Sequence, residues 1–249
     1  MPNSKTDAPI EIYIKVTKDG PYLVFGKPEI KEEIIEPNDQ GNSWEYVDGQ
    51  HFEAKDNPTA LCRCGKSKNK PYCDGSHLKG FDGQETAPHT PILEGAEEYQ
   101  GPNYTLLDNE LYCAFARFCD AFGQVWNLVQ NGDNLSDKLA LHEAMHCPAG
   151  RLMMKDNQTG RLIEPDFKPS IGVIEDPQIQ CSGPLYVKGR IKVIDENGNA
   201  YEVRNRQTLC RCGKSSNKPF CDGTHASFRF EDELKAVARQ RKAPRKNSS

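Results

Sequence analysis

A sixteen-residue pattern of three cysteines and one histidine occurs twice in the chain and constrains what it can fold into. The first copy runs from Cys62 to His77, and the second runs from Cys210 to His225. Both copies have the spacing C-x-C-x8-C-x3-H, which delivers four metal-binding side chains through two sharp turns. Unligated thiols do not recur in such a spacing by chance. The sequence therefore predicts two equivalent metal sites.

The residue types in each copy suit zinc and iron-sulfur clusters equally well, so the spacing has to discriminate between them. Structural zinc sites usually pair their ligands as C-x2-C. A C-x-C pair can instead chelate one iron, and a cysteine and a histidine four residues apart can hold the other iron of a 2Fe-2S cluster. The spacing favours 2Fe-2S clusters, with zinc as the alternative. The predicted ligands are Cys62, Cys64, Cys73 and His77 in the first set and Cys210, Cys212, Cys221 and His225 in the second.

The composition favours small modules over one large core. Only 36 % of the 249 residues are hydrophobic, the mean hydropathy is -0.75, and the chain has 20 glycines and 17 prolines. Bound cofactors would then supply part of the folding free energy. The polar residues 1–10 do not resemble a signal peptide, so the ten cysteines are expected in a reducing cytoplasm, and no apolar run is long enough to predict a membrane partner.

The repeat extends beyond the cysteines. Residues 20–26 and 183–189 read Gly-Pro-Tyr-Leu-Val-Phe-Gly and Gly-Pro-Leu-Tyr-Val-Lys-Gly, each predicting a short strand. In the second unit, residues 191–194 and 200–203 predict a hairpin around Asn197-Gly198. The expected fold is a duplicated β-rich module whose copies pair within the chain about a pseudo-twofold axis.

Both copies resemble a known family at every defined position of its signature. The CDGSH (NEET) signature is C-x-C-x2-(S/T)-x3-P-x-C-D-G-(S/T)-H, and Ser67, Pro71, Ser215 and Pro219 occupy its remaining positions here. In that family the three cysteines and the histidine bind a 2Fe-2S cluster. The resemblance implies the same role for the two ligand sets and implies a chain that is similar to a fused dimer.

A different kind of sequence separates the two copies. Residues 137–146 predict a short helix, and residues 152–155 and 161–163 predict a hairpin around Asn157-Gln158-Thr159-Gly160. The proline-containing segments 86–102 and 165–184 are expected to be linkers on either side of this insert.

Three cysteines of the insert resemble the ligands of small ferredoxins that carry a 3Fe-4S cluster. Cys113 and Cys119 are spaced C-x5-C, Cys147 precedes Pro148, and Ala116 stands where a further ferredoxin cysteine would be. The resemblance implies a third cluster, which is 3Fe-4S with these three ligands or 4Fe-4S if Cys181 is the fourth. The alternative is a degenerate ferredoxin fold with buried structural thiols.

One motif of the insert is interpreted as a chance match. Residues His142 to His146 spell H-E-x-x-H, which on a helix can place two imidazoles around a catalytic zinc with Glu143 as general base. Cys147-Pro148 ends the helix at once, whereas a metalloprotease needs the helix to continue towards a third ligand. A zinc hydrolase is therefore the least favoured of the functions considered.

The predicted fold class is α+β with loop-rich modules: two CDGSH-type β-rich modules flank a ferredoxin-like α+β insert. The domains are 1–90 (first module), 91–180 (insert), 181–235 (second module) and 236–249 (basic tail). Residues 91–180 hold 6 Lys and Arg against 14 Asp and Glu, and residues 181–249 hold 15 against 7. A solvated tail is favoured over binding to nucleic acid.

The predicted function is that of a soluble, non-enzymatic iron-sulfur protein that carries electrons or stores and transfers clusters. No nucleotide-binding or nucleophile motif suggests an enzyme. The expected partner is a redox protein or an apo iron-sulfur client protein. The alternative is a zinc-binding interaction protein.

Overall fold

The computed structural model describes residues 11–232, so the basic tail predicted at 236–249 lies outside the described residues. The strands are β1 (Tyr13–Val16), β2 (Tyr22–Phe25), β3 (Glu29–Pro37), β4 (Ser43–Phe52), β5 (Thr59–Leu61), β6 (Glu97–Gln100), β7 (Tyr104–Asp108), β8 (Leu152–Asp156), β9 (Leu162–Ile163), β10 (Ser170–Asp176), β11 (Cys181–Lys188), β12 (Lys192–Ile194) and β13 (Arg206–Leu209). The α-helices are α1 (Val125–Asn131), α2 (Asn134–Met145) and α3 (Thr224–Ser227). Single 3-10 turns lie at Ser76–Leu78, Ile92–Gly95, Glu110–Tyr112 and Phe118–Asp120. This loop-rich, strand-dominated mixture confirms the coarse fold prediction.

The two outer modules share two sheets instead of standing apart. One sheet has the strand order β12-β1-β2-β5, in which β12 of the second module pairs in parallel with β1 of the first. The other has the order β13-β11-β10-β3-β4, which again combines strands from both modules. The modules are therefore interleaved.

The segment 165–184, predicted as a linker, instead supplies the middle of the second sheet, and the linker prediction was wrong there. Strand β10 pairs in parallel with β3 and antiparallel with β11, and all seven of its residues are buried. The prolines that suggested a linker bracket an apolar stretch containing Ile171, Val173 and Ile174. A strand covered on both faces has a continuous run of apolar residues in place of an alternating pattern. The prolines on either side indicate turns and give no sign of the strand between them.

The two strands predicted from the repeat are confirmed as β2 and β11, and they have equivalent partners. Tyr22 in β2 lies opposite Leu61 in β5, and Leu185 in β11 lies opposite Leu209 in β13. The predicted hairpin over 191–203 is reduced to a single bridge between Ile194 and Ala200. The backbone of Tyr201 still donates a hydrogen bond to Val193 O at 2.9 Å, and its side chain is buried against Phe220 with ring centroids 5.1 Å apart.

The middle of the chain forms an antiparallel sheet of order β6-β7-β8-β9 with α1 and α2 beside it. Helix α2 and the β8–β9 hairpin confirm the local predictions made for this segment. Asp133 caps α2 by accepting hydrogen bonds from the backbone of Leu135 and Ser136, so the helix begins three residues earlier than predicted. A continuous apolar core joins this sheet to the outer modules. Among residues 11–232, no helix is both long and apolar enough to cross a bilayer.

Candidate metal centres

The first repeated motif brings its four predicted ligands together as two pairs. The sulfurs of Cys62 and Cys64 lie 3.8 Å apart, and Cys73 Sγ lies 3.2 Å from Nδ1 of His77. Each pair can chelate one metal atom, because its donor atoms are as close as two ligands on a single ion.

The second motif repeats this arrangement. Cys210 Sγ and Cys212 Sγ lie 3.6 Å apart, and Cys221 Sγ lies 3.3 Å from Nδ1 of His225. The agreement between the copies shows that the sequence repeat is also a repeat of donor geometry.

Two separate pairs fit a two-iron cluster better than a single ion. A tetrahedral zinc bound at about 2.3 Å brings its sulfur ligands to about 3.8 Å from one another. Within residues 11–232, however, neither cysteine-histidine set has three donor atoms that all lie within 4.8 Å of each other. Two irons with two protein ligands each require this separation.

A short strand and a returning loop hold each set in place. Cys62 N donates to Pro71 O at 2.8 Å and Cys73 N donates to Ala60 O at 2.9 Å, so the loop pairs back onto the end of β5. In the second copy, Cys210 N donates to Pro219 O and Cys221 N to Thr208 O, at 2.8 and 3.0 Å. The ligands are thereby fixed by backbone bonds that are independent of the metal.

The signature serine and aspartate organise the loop without acting as ligands. Ser67 Oγ donates to Tyr72 O and accepts from Asn69 N, and Asp74 accepts from the backbone of Lys68 and Ser76. Hydrogen bonds from Lys68 and Ser76 hold the pKa of Asp74 below its usual value. The serine and aspartate of the second copy make the equivalent bonds, Ser215 with Phe220 O and Asn217 N, and Asp222 with Ser216 and Thr224.

Backbone amides also point at the ligand sulfurs. Lys66 N lies 3.4 Å from Cys64 Sγ, and Gly75 N lies 3.5 Å from Cys73 Sγ. Gly223 N makes the corresponding contact with Cys221 Sγ at 3.5 Å. Amide donors of this kind stabilise the thiolates and raise the reduction potential of a cluster that the thiolates bind.

The two sets adjoin each other across an approximate twofold relation. Cys64 and Cys212 form an antiparallel bridge. A Cβ added to Gly65 would lie 2.5 Å from the Cys212 carbonyl oxygen, and one added to Gly213 would lie 2.6 Å from that of Cys64. Both glycines also have positive φ, so each copy supplies the small residue that lets the other approach.

The two centres differ in their exposure. His77 is half-buried, and its neighbour Leu78 is 83 % exposed, whereas His225 is only 4 % exposed. Burial and the Arg211 guanidinium lower the pKa of His225 to about 4. The insert covers the second centre, since a Cβ on Gly223 would lie 3.1 Å from Phe115 Cβ and 3.2 Å from Cys113 O.

Buried arginines inside the C-x-C pairs were missed by the sequence reasoning. Arg63 donates to the carbonyl oxygens of Thr17 and Gly83, and Arg211 donates to those of Gly183 and Ile174. Arg211 also pairs with the carboxylates of Glu175 and Asp232. Their identical position between two cysteines is a signal in the sequence, but their partners come from distant segments.

The three predicted ligands of the insert share one small cavity. Cys113, Cys119 and Cys147 line a space of about 30 Å³ together with residues of the 113–119 loop. Phe115 and Arg117 in that loop have positive φ, a conformation in which successive amides can form the concave nests that hold anionic clusters. Burial, followed by the charge of Cys147, raises the pKa of Cys119 to about 12.

Cys181 lies elsewhere, which contradicts its assignment as a fourth ligand of that cluster. It is fully buried beside Cys210 and Cys212, and its thiol donates to the carbonyl oxygens of Ser182 and His225. Its place at the start of β11 ties it to the second module, so it packs behind His225 and away from the insert's cavity.

The H-E-x-x-H motif does not place its glutamate beside its two histidines at the surface. Glu143 is fully buried and accepts a hydrogen bond from Phe122 N at 2.8 Å, while His142 and His146 lie near the surface with Glu45. Adjacent helical positions point about 100° apart, which directs Glu143 into the core.

In a comparison with protein families, residues 19–78 and 182–226 match the family described as iron-binding zinc finger CDGSH type. These two matches contain the first and second ligand sets in full. The insert lies outside both, and its ferredoxin-like assignment stays a prediction. Comparisons with curated proteins and with solved structures gave no match. Residues 19–78 and 182–226 are therefore two CDGSH-type iron-binding domains.

Proposed function

We propose that the chain binds one 2Fe-2S cluster in each domain and carries electrons or clusters between proteins. The observation that supports this most directly is the division of each ligand set into two chelating pairs. The two sulfurs of the C-x-C pair lie 3.8 Å apart in the first set and 3.6 Å apart in the second. The cysteine sulfur and histidine Nδ1 of the other pair lie 3.2 and 3.3 Å apart. A bound 2Fe-2S cluster supplies one-electron chemistry, and its histidine ligand raises the potential above that of an all-cysteine centre.

We further propose a 3Fe-4S cluster held by Cys113, Cys119 and Cys147. Three thiols with no disulfide partner line one cavity, and the displacement of Cys181 leaves three ligands there. The nearby Arg151 guanidinium, 7 % exposed and bonded to Asp108 at 2.6 Å, would balance part of the thiolate charge.

The exposed first centre is the better suited to release a cluster, and the covered second centre is the better suited to retain one. His225 is buried, whereas His77 is only half-buried and is followed by the exposed Leu78. The partner would accordingly be a redox protein or an apo iron-sulfur client, and the chain would act as a carrier without a substrate to convert. All ten cysteines are free, which supports a reducing compartment such as the cytoplasm.

Iron and acid-labile sulfide counted per chain test these proposals. Filled outer sites give about four irons, and a 3Fe-4S cluster in the insert raises the count to about seven. Cys147→Ser should remove about three irons, whereas Cys181→Ser, which changes a thiol away from the cavity of the insert, should keep those three. Colourless protein that holds zinc would overturn the assignment in favour of an interaction protein.

A further inference from the structure

A second kind of donor cluster lies outside the cysteine sites, where strand β4 meets the end of helix α2. It consists of Glu45 from β4 and of His142 and His146, one turn apart on the helix. Within residues 11–232 these are the three metal-binding side chains whose donor atoms all lie within 4.8 Å of one another. They are the part of the H-E-x-x-H motif that the iron-sulfur function leaves unexplained, joined by a carboxylate from a distant strand.

One separation between donor atoms matches that of two ligands on one small cation, and the other is longer by less than 1 Å. His146 Nε2 lies 3.3 Å from Glu45 Oε2, and His142 Nε2 lies 4.0 Å from Glu45 Oε1. Without a metal, His142 Nε2 donates a hydrogen bond to the Trp44 carbonyl oxygen at 2.9 Å, so a metal has to displace that proton before this nitrogen can bind it. With bonds of about 2.1 Å, neighbouring ligands lie about 3.0 Å apart in an octahedral site and about 3.4 Å apart in a tetrahedral one. The change of His142 to the tautomer protonated on Nδ1, together with a small shift of its ring towards Glu45, would complete the site.

The hydrogen bond of His146 directs its free nitrogen to Glu45. His146 Nδ1 lies 2.8 Å from the His142 carbonyl oxygen, an acceptor, so Nδ1 carries the proton. In the neutral imidazole, Nε2 then presents a lone pair to the Glu45 carboxylate. Two acceptors that face each other need a proton or a cation between them, and the backbone bond on the other ring nitrogen is the support usual for a metal-binding histidine.

The surroundings hold the two imidazoles in place. Trp44 stacks on His142 with ring centroids 3.6 Å apart, and Phe118 stacks on His146 at 5.5 Å. Tyr46 donates a hydrogen bond to the His146 carbonyl oxygen. Glu45 and His146 also line an open cavity of about 280 Å³, which gives an ion and an outside ligand access to the site.

We propose that Glu45, His142 and His146 form a separate binding site for a divalent first-row transition metal, zinc or iron(II), with further coordination positions open to the cavity. Two imidazoles and one carboxylate suit these metals, whereas calcium and magnesium prefer oxygen ligands alone. Glu143 faces the core, so the site binds a metal without the general base of a hydrolase. An ion there would clamp β4 to the helix that leads into Cys147.

Equilibrium dialysis of the full chain, with its clusters in place, against zinc tests the site. We expect one zinc per chain beyond the cluster metal, in the presence of excess magnesium, and at least about tenfold weaker binding in Glu45→Gln and in His142→Gln. His51→Gln is the matched control, because His51 lies 3.4 Å from the Glu29 carboxylate as a single exposed pair. Its zinc affinity should equal that of the parent protein.

X-ray absorption at the zinc edge identifies the ligands of the bound ion. The proposed site gives nitrogen and oxygen scatterers at about 2.0 to 2.2 Å, whereas zinc that has replaced iron gives sulfur at about 2.3 Å. A sulfur shell, the absence of stoichiometric zinc, or unchanged affinity in both Glu45→Gln and His142→Gln would overturn the proposal. Unchanged visible bands and circular dichroism in the two variants would show that a loss of zinc is local. Glu45 is exposed, so we expect Glu45→Gln to fold like the parent protein. This variant therefore tests the site even if His142→Gln does not fold.

Discussion

Tyr22 connects the two domains through a single hydroxyl group. It is fully buried in β2 of the first domain, and its hydroxyl lies 2.8 Å from the carbonyl oxygen of Cys210 and 3.0 Å from that of Pro219 in the second. The equivalent residue of the second domain is Leu185, which has no hydroxyl. The first domain therefore makes this contact with the second, and the second makes no corresponding contact through Leu185. A residue of one domain thus supports the ligand loop of the other.

Tyr22→Phe should lower the free energy of unfolding by about 1 to 3 kcal/mol, because it removes the hydroxyl donor of the buried Cys210 carbonyl oxygen, while that of Pro219 keeps the Cys210 amide. Chemical denaturation of the protein with its clusters in place measures this change. Tyr13→Phe is a suitable control, since Tyr13 is only half-buried and stacks on Phe25 through its ring. Equal stability of Tyr22→Phe and the parent would contradict the role given to the hydroxyl.

Glu143 gives the fold a pH dependence of its own. Burial raises its pKa to about 7, so the folded state retains a proton that the unfolded chain releases near pH 4.5. Its contribution to stability is therefore complete below pH 4.5 and is lost as pH rises through about 7. Glu143→Gln keeps the acceptor for Phe122 N and should unfold at a higher temperature than the parent at pH 8, with a smaller difference at pH 6. A difference independent of pH would count against a titrating Glu143.

The ligand residues could be predicted from the sequence because each set lies within sixteen residues, where spacing determines geometry. Tyr22 and Arg211 could not, because the atoms that they contact belong to segments whose proximity only the fold creates. Glu45 was missed for the same reason: a single carboxylate on a strand becomes notable only beside the two histidines of α2.

At the scale of elements, the close approach of Cys64 and Cys212 depends on a pair of glycines. Gly65 and Gly213 have φ of +73° and +78°, and the backbone of the opposite domain fills the space that a side chain would need. The two ligand loops can therefore pair only where both residues lack a Cβ.

Gly213→Ala should destabilise the protein by roughly 2 to 4 kcal/mol, because the strain of a positive φ adds to a backbone collision. Gly160→Ala separates the two contributions, since Gly160 also has positive φ but open space around it, and it should cost only about 1 kcal/mol. Thermal unfolding and visible absorption of both variants check this. Equal losses in the two would show that the domains tolerate a wider separation.

Strands of the insert and of the repeat were predictable where a hairpin or a turn marks them, as for β8, β9, β2 and β11. The parallel pairs β1 with β12 and β3 with β10 were not, because their partners are more than a hundred residues apart and no local turn connects them. Prolines around β10 even suggested a linker. Long-range parallel pairing leaves only an apolar run in the sequence, which also fits other structures.

Over the whole molecule, the centres are duplicated in their ligands but unequal in their surroundings. The insert packs over the second centre and leaves the first at the surface. A single chain thus combines one accessible and one enclosed copy of the same donor set.

This inequality predicts biphasic loss of visible absorption after a jump to weak acid. The pKa of His225 is lowered to about 4, so its imidazole stays neutral, and able to bind metal, until the pH approaches that value. The exposed first centre should lose its cluster sooner and at higher pH. Stopped-flow absorption can resolve the two phases.

Substitution assigns each phase to its centre. His77→Cys should remove the fast phase and His225→Cys the slow one, because a thiolate ligand replaces the protonatable imidazole. A single phase in the parent protein, or rates unchanged in both variants, would contradict unequal centres.

The shared sheets make the two halves of this protein inseparable. Since β12 completes the sheet of β1, and β10 lies between β3 and β11, a break in the backbone between the domains would leave both fragments with unpaired strand edges and no complete core. The fragments should remain associated, and heat should melt them in one cooperative transition. Binding of a cluster at either centre then shifts the folding equilibrium of the entire chain towards the folded state. Cluster binding in one domain therefore favours cluster binding in the other.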